Sequence, residues 1–215
     1  MTRMIFVRHG YSTANEQERF AGHSDFPLAA LGFKQAELVA EFFKKSESIK
    51  IDKVYSSGLL RTTQTVQPTA DMLGLPVIPD EGLREIFAGD WEGMKFSDIF
   101  EQYNSDFSVW LNDPANVRCT NGESMEELFK RVSATICRIG DENDGKCIVL
   151  STHATPLRVA DAFASGDTHK DIAAHRSPAN ASIHIYDYES NKLTAVKTGI
   201  VEHLKGQITR LPANV

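Results

Sequence analysis

Short apolar runs recur along this chain, and each stops abruptly at polar residues. Residues 4–7 form such a run and end at Arg8, His9 and Gly10, as a buried strand feeding a loop does. After Gly32, the positions Ala36, Val39, Ala40 and Phe43 fall on one face of a helix. Residues 52–55 read as a second strand, closed by Ser56, Ser57 and Gly58. A second helix follows, with Leu59, Val66, Ala70 and Leu73 at helical spacing; Pro68 inside it predicts a kink or an early end. Gly74 stops it, and residues 75–78 read as a third strand. Between 80 and 123 the periodicity weakens and Gly89, Gly93, Pro114 and Gly122 punctuate the chain, which predicts short helices and loops forming a lid or substrate wall. Ser124 and Glu127 make a capping box before Leu128, Val132, Ile136 and Ile139. Residues 147–150 are a strongly apolar strand ending at Ser151, Thr152 and His153, and 156–163 look helical. Residues 182–188 and 192–196 alternate around 189–191, a terminal hairpin.

Strands alternating with helices indicate an α/β sandwich on a mostly parallel sheet, and no repeat or linker divides the 215 residues into more than one domain. In such folds ligands bind beyond the carboxyl ends of the strands. Three polar clusters, at 8–10, 56–61 and 152–154, each follow an expected strand and so converge on one crevice.

Composition narrows the function. Apolar content of 41% and charged content of 24% are those of an ordinary folded domain. A net charge of −6 argues against a nucleic-acid partner but leaves an anionic small molecule open, provided that its pocket is locally cationic. The cysteines Cys119, Cys137 and Cys147 are odd in number and lack metal-ligand spacing, which suits a reduced interior. No segment approaches the ~20 apolar residues of a membrane span, and the N-terminal run is too short for a signal peptide. A cytoplasmic protein without a membrane partner is expected.

The clusters carry what phosphoryl transfer needs: a nucleophile, cations for the non-bridging oxygens, and an acid for the departing oxygen. His9 supplies a neutral imidazole, provided that one ring nitrogen donates to a nearby acceptor so the other keeps its lone pair. Arg8 and Arg61 offer permanent charge in a planar fork suited to phosphate. His153, if protonated, adds a third cation, and Glu85 is the candidate acid. Taken singly, each is an unremarkable loop or helix residue.

Jointly, VRHGYSTAN (7–15), YSSGLLRTTQT (55–65), LREIFAGDWEG (83–93), NGES (121–124) and STHATPLR (151–158) closely resemble the histidine phosphatase superfamily, which includes the cofactor-dependent phosphoglycerate mutases. The resemblance implies a phosphoglycerate mutase-like three-layer α/β/α sandwich, His9 as the phosphorylated histidine, and Arg8, Arg61 and His153 around the phosphoryl group. It further implies Glu85 as proton donor, and Asn15 and the backbone N–H of Ala154 as phosphate contacts. The stretch from Gly22 and His23 to Gly32 resembles the substrate-side loop. No metal or cofactor is implied. Tyr11 departs from the commoner Glu or Gln, Ala29 from a hydroxyl residue, and Ala154–Thr155 from Gly-Gly or Gly followed by a small residue. The wording of 83–93 resembles the phosphatase branch, and residues 86–123 are acidic, with only Lys95 and Arg118 basic. Both favour hydrolysis of a small phosphorylated metabolite over mutase-type transfer or non-catalytic binding of a phosphoester. No G-x-G-x-x-G follows the first strand, against a dinucleotide-binding domain. The terminal hairpin offers an edge strand for a homodimer.

Overall fold

The computed structural model describes residues 1–46 and 48–209. The apolar runs become strands β1 (Thr2–Arg8), β2 (Lys53–Ser56), β3 (Val77–Pro79) and β4 (Cys147–Thr152), joined by β5 (Ile183–Glu189) and β6 (Lys192–Ile200). They form one sheet in the order β3-β2-β4-β1-β5-β6. The first four of these neighbours run parallel, whereas β5 is antiparallel to β1 and β6 to β5. Alternation along β1 explains why its run is unbroken. Met4 and Phe6 enter one apolar core and Ile5 and Val7 another, so both faces are covered.

The helices are α1 (Thr13–Glu16), α2 (Ala30–Lys45), α3 (Leu60–Leu73), α4 (Phe96–Gln102), α5 (Asn104–Asn112), α6 (Met125–Asp141) and α7 (Ala154–Ser165). Val39 and Phe43 of α2 and Val66 and Ala70 of α3 pack on the Ile5–Val7 face. Leu128, Val132, Ile136 and Ile139 of α6 and Leu157 and Val159 of α7 pack on the other. Each such aliphatic side chain contributes about 1.5–3 kcal/mol by leaving water, and together they make the three-layer sandwich expected from the strand-helix alternation.

Several local readings shift. α3 runs through Pro68 without a break, because Val66 and Ala70 anchor it to the sheet on either side of the proline. Leu59 caps that helix rather than joining it, and Leu73 is exposed. β3 starts two residues later than the hydropathy suggests. α1 is a single turn, too short to show a period, yet Ser12 and Asn15 cap it reciprocally. The same device starts α6 at Ser124 and Glu127. The hairpin turn places Ser190 and Asn191 at φ 49° and 63°, the left-handed conformation that a tight β5–β6 connection needs.

One glycine is fixed by packing. A Cβ on Gly140 of α6 would lie 2.2 Å from Cδ1 of Tyr188, whose hydroxyl donates to Asp141 at 2.9 Å. Alanine is the better helix former by about 1 kcal/mol, but overpacking a filled contact costs about 1–3 kcal/mol. Gly140→Ala is therefore expected to lower the melting temperature, by roughly 2–4 °C for each kcal/mol lost in a chain of this size. A melting temperature equal to or above that of the parent in calorimetry contradicts this packing.

Candidate active site

Three adjacent parallel strands end level with one another. The β1–β4 register pairs Arg8 with Thr152, and the β2–β4 register pairs Ser56 with Ser151. The amide of His9 then donates to the Thr152 carbonyl at 2.9 Å and that of Ser57 to the Ser151 carbonyl at 3.1 Å. This puts His9, Ser57 and His153 side by side at the carboxyl edge, with the two imidazole centroids 5.2 Å apart.

The loop after β1 is shaped by close approach. A Cβ on Gly10 would sit 2.8 Å from the Gly32 carbonyl oxygen, so only a glycine lets this loop lie against the start of α2. The Gly10 amide donates to Thr65 Oγ1 on α3 at 2.9 Å, and its carbonyl accepts from His9 Nδ1 at 2.8 Å. A carbonyl only accepts, so Nδ1 carries the proton and Nε2 keeps its lone pair. Burial, then the charges of Arg61 and Arg8, hold His9 well below the ordinary histidine value of 6.5. Its imidazole is neutral and nucleophilic at physiological pH.

Arg8 and Arg61 are almost wholly buried, and neither forms an ion pair among the described residues. The Arg61 Nη1 and Nη2 donate to the carbonyls of Ser24 and Gly22 at 2.8 and 2.7 Å, and Nε donates to His153 Nδ1 at 3.2 Å. Arg8 donates to the Pro178 carbonyl, and its Nε is buried with no partner among the described residues. Burial brings both guanidinium groups down to about 10, with Glu85 opposing the shift. They stay charged at neutral pH, with hydrogen bonds to neutral acceptors and carboxylates only at longer range.

His153 differs from the sequence reading. Its Nδ1 accepts from Arg61, so the ring proton sits on Nε2 and donates to Ser57 Oγ at 2.8 Å. Burial, Arg61 and His9 push it well below 6.5. It is a neutral residue behind Arg61, not a third cation, because a second proton has no acceptor there. It does not itself line the cleft.

Glu85 stands across the opening. Its carboxylate accepts from the amides of Ile86 at 2.9 Å and Thr155 at 3.3 Å, the latter in the first turn of α7. Its carbonyl is gripped by Arg131 Nη2 at 3.0 Å and His23 Nε2 at 2.9 Å. Arg131 also holds the carbonyls of Gly82 and Arg84 and pairs with Glu123, so α6 bolts the acid's backbone in place. His23 thus supports Glu85 from outside the cleft wall.

The cleft holds about 570 Å³ of space with its open mouth included. Arg8, His9, Asn15, Gly22, Arg61, Glu85 and Ala154 line it, together with Arg19, Phe20, Phe96, Trp110, Thr155, Arg158 and Ser177. Asn15 Oδ1 is occupied by Ser12 and Asn180, which leaves its Nδ2 to donate inward. No side chain caps α7, whose first residue is Ala154, so that helix start presents backbone N–H groups to an anion. Among the aromatic side chains, Phe20, Phe96 and Trp110 reach the cleft, Trp91 is fully buried core, and Phe87 is exposed beside His23.

Sequence reasoning missed four contributors. Arg19 and Arg158 line the cleft, Thr65 seats Gly10, and Asn180 joins the His9 carbonyl to Asn15. Arg158 lay in a segment already singled out, but it sits among the apolar positions of α7, where a charge gives no periodic signal. Asn180 lies just before β5 and becomes a partner of His9 only through the antiparallel pairing of β5 with β1.

Known proteins resemble this chain in sequence and fold. The chain is 30% identical to phosphoserine phosphatase 1 of Hydrogenobacter thermophilus over 206 residues, 95% of each chain. It is 31% identical to a probable phosphoglycerate mutase GpmB of Enterobacter sp. (strain 638), covering 99% of this chain and 96% of that one. Among solved structures, the alpha-ribazole phosphatase of Shigella flexneri matches with a TM-score of 0.82 at 26% identity, over 92% of this chain and 96% of that one. The model of one family spans residues 4–200, and with it the strands, helices and cleft described above: the chain belongs to the histidine phosphatase superfamily, branch 1.

Proposed function

We propose that this phosphoric monoester hydrolase cleaves a small phosphorylated metabolite in two steps, with the phosphoryl group resting on His9 in between. The observation that carries the reading is His9 itself: a buried neutral imidazole, its Nδ1 proton fixed on Gly10, opening Nε2 to a cleft bordered by Arg8 and Arg61. In the first step Nε2 attacks phosphorus in line. The bond to the leaving oxygen breaks with its electron pair, and Glu85 passes a proton to that oxygen. Arg8, Arg61, Asn15 and the Ala154 amide stabilise the equatorial oxygens. In the second step water gives its proton to Glu85 and attacks phosphorus, which returns the lone pair to Nε2 and releases phosphate.

The remaining residues act through these. His153 orients Arg61 while Ser57 fixes its tautomer, the Gly22 carbonyl fixes the other end of Arg61, and His23 steadies Glu85. The guanidinium groups supply the positive charge that the reaction needs, so no metal or cofactor enters the scheme. Three free thiols suit a cytoplasmic setting, and no helix among the described residues is long and apolar enough to cross a membrane.

Relatives include proteins named as phosphatases and as probable phosphoglycerate mutases, so the acceptor decides. Incubation with 3-phosphoglycerate and a trace of 2,3-bisphosphoglycerate is expected to release phosphate without rapid formation of 2-phosphoglycerate. Fast isomerisation without phosphate release overturns hydrolysis. Glu85→Gln is expected to slow esters of poorly leaving alcohols at least tenfold more than p-nitrophenyl phosphate, whose leaving group needs no proton. Equal losses on both, measured as kcat/KM, remove Glu85 as the acid.

A further inference from the structure

Glu92 takes no part in the two chemical steps and does not line the cleft. Its half-buried carboxylate nevertheless accepts from four donors among the described residues. Oε1 takes the amides of His23 at 2.8 Å and Ala88 at 2.9 Å. Oε2 takes the amide and the hydroxyl of Ser24 at 2.7 and 2.6 Å. A carboxylate offers about four lone-pair sites, so neutral donors fill this one.

The loop 22–24 turns its donors to Glu92 and its acceptors to Arg61. Nη2 of Arg61 donates to the Gly22 carbonyl at 2.7 Å and Nη1 to the Ser24 carbonyl at 2.8 Å. The Gly22 carbonyl and the His23 N–H belong to one peptide plane, and that plane stands between a carboxylate and a guanidinium. Each charge polarises the peptide toward the other, which strengthens both hydrogen bonds. Glu92 accordingly helps to keep Arg61 protonated against its burial. The approach is possible because residue 22 is glycine: its φ is 47°, and a Cβ there would collide with Glu92 Oε1. Trp91 holds the other end, since its ring is wholly buried in the core and its Nε1 donates to Thr120 Oγ1 at 3.1 Å. Without the loop, Arg61 keeps the bond from Nε to His153 Nδ1 at 3.2 Å, a single contact about which the guanidinium can swing.

We propose that Glu92 is a positioning residue for the reaction: through the 22–24 loop it holds the Arg61 guanidinium in the plane that the phosphoryl oxygens need. The inference rests on the phosphatase reading above and adds to it a residue that acts only through Arg61.

A double-mutant cycle tests it. In the parent, Glu92→Gln is expected to lower kcat/KM on p-nitrophenyl phosphate by roughly 10-fold, the worth of a charge-assisted contact. In Arg61→Ala the same substitution is expected to cost about twofold or less, because no guanidinium remains to be placed. Magnetic resonance of protein carrying isotope-labelled arginine reads the side chain itself. The Nε–H signal of Arg61, identified by its loss in Arg61→Ala, is expected to shift in Glu92→Gln and to exchange faster with water. Equal losses in both backgrounds, parent-like turnover of Glu92→Gln, or an Arg61 signal that does not respond overturns the positioning role and leaves the phosphatase reading in place. If Glu92→Gln does not fold, Ser24→Ala removes one donor on Oε2 and keeps the carboxylate. It is expected to give the same pattern in smaller measure, and losses that persist unchanged in Arg61→Ala again overturn the role. A parent that does not hydrolyse p-nitrophenyl phosphate overturns the phosphatase reading, and the Arg61 signal then decides the positioning role alone.

Discussion

Two buried guanidinium groups with no ion pair among the described residues are the constraint around which this molecule is organised. Removing a charge from water is costly, and an unpaired one more so. The fold offsets that cost with oriented carbonyls, those of Gly22 and Ser24 for Arg61 and of Pro178 for Arg8, and with the nearby field of Glu85. The compensation stops short of a full ion pair, and Arg8 Nε has no partner among the described residues. A phosphate dianion entering the cleft completes what the protein leaves open, so part of the cost of building the site returns as binding energy.

The same charges set the state of the histidines. With two cations and a dry environment, neither imidazole holds a second proton, and the nucleophile stays unprotonated without a carboxylate partner of its own. The sign of the linkage follows. Each histidine is harder to protonate in the folded chain than in the unfolded one. The folded state is therefore unpenalised above 6.5 and loses stability as the pH falls below that value. An anion bound between the arginines counters the effect.

Much of this was legible in the sequence, for a reason that is physical rather than statistical. Strands buried on both faces read as unbroken apolar runs, and the polar clusters that end them lie on one edge once the strands are parallel. His9, Arg61 and Ser57 could therefore be gathered before any coordinate. Features that depend on three-dimensional closeness stayed hidden. The neutrality of His153 comes from the depth of burial and from a hydrogen bond with a residue 92 positions away. Asn180 touches His9 only through the antiparallel partner of β1, and Arg158 sits within the apolar pattern of α7, where a charge gives no periodic signal. The acidity of residues 86–123 suggested a cleft poor in extra cations, yet Arg19 and Arg158 bring them from elements on either side of that segment in the chain.

The central claim is that Nε2 of His9 takes the phosphoryl group, and trapping that adduct tests it most directly. The enzyme would be quenched in alkali during turnover of a fast-leaving phosphomonoester, digested, and the modified peptide sequenced by mass spectrometry. The account predicts phosphate on the peptide that contains His9, stable in alkali and lost in acid as a phosphoramidate is, and absent from His9→Ala. Phosphate on another residue, or an unchanged rate of turnover in His9→Ala, would contradict it.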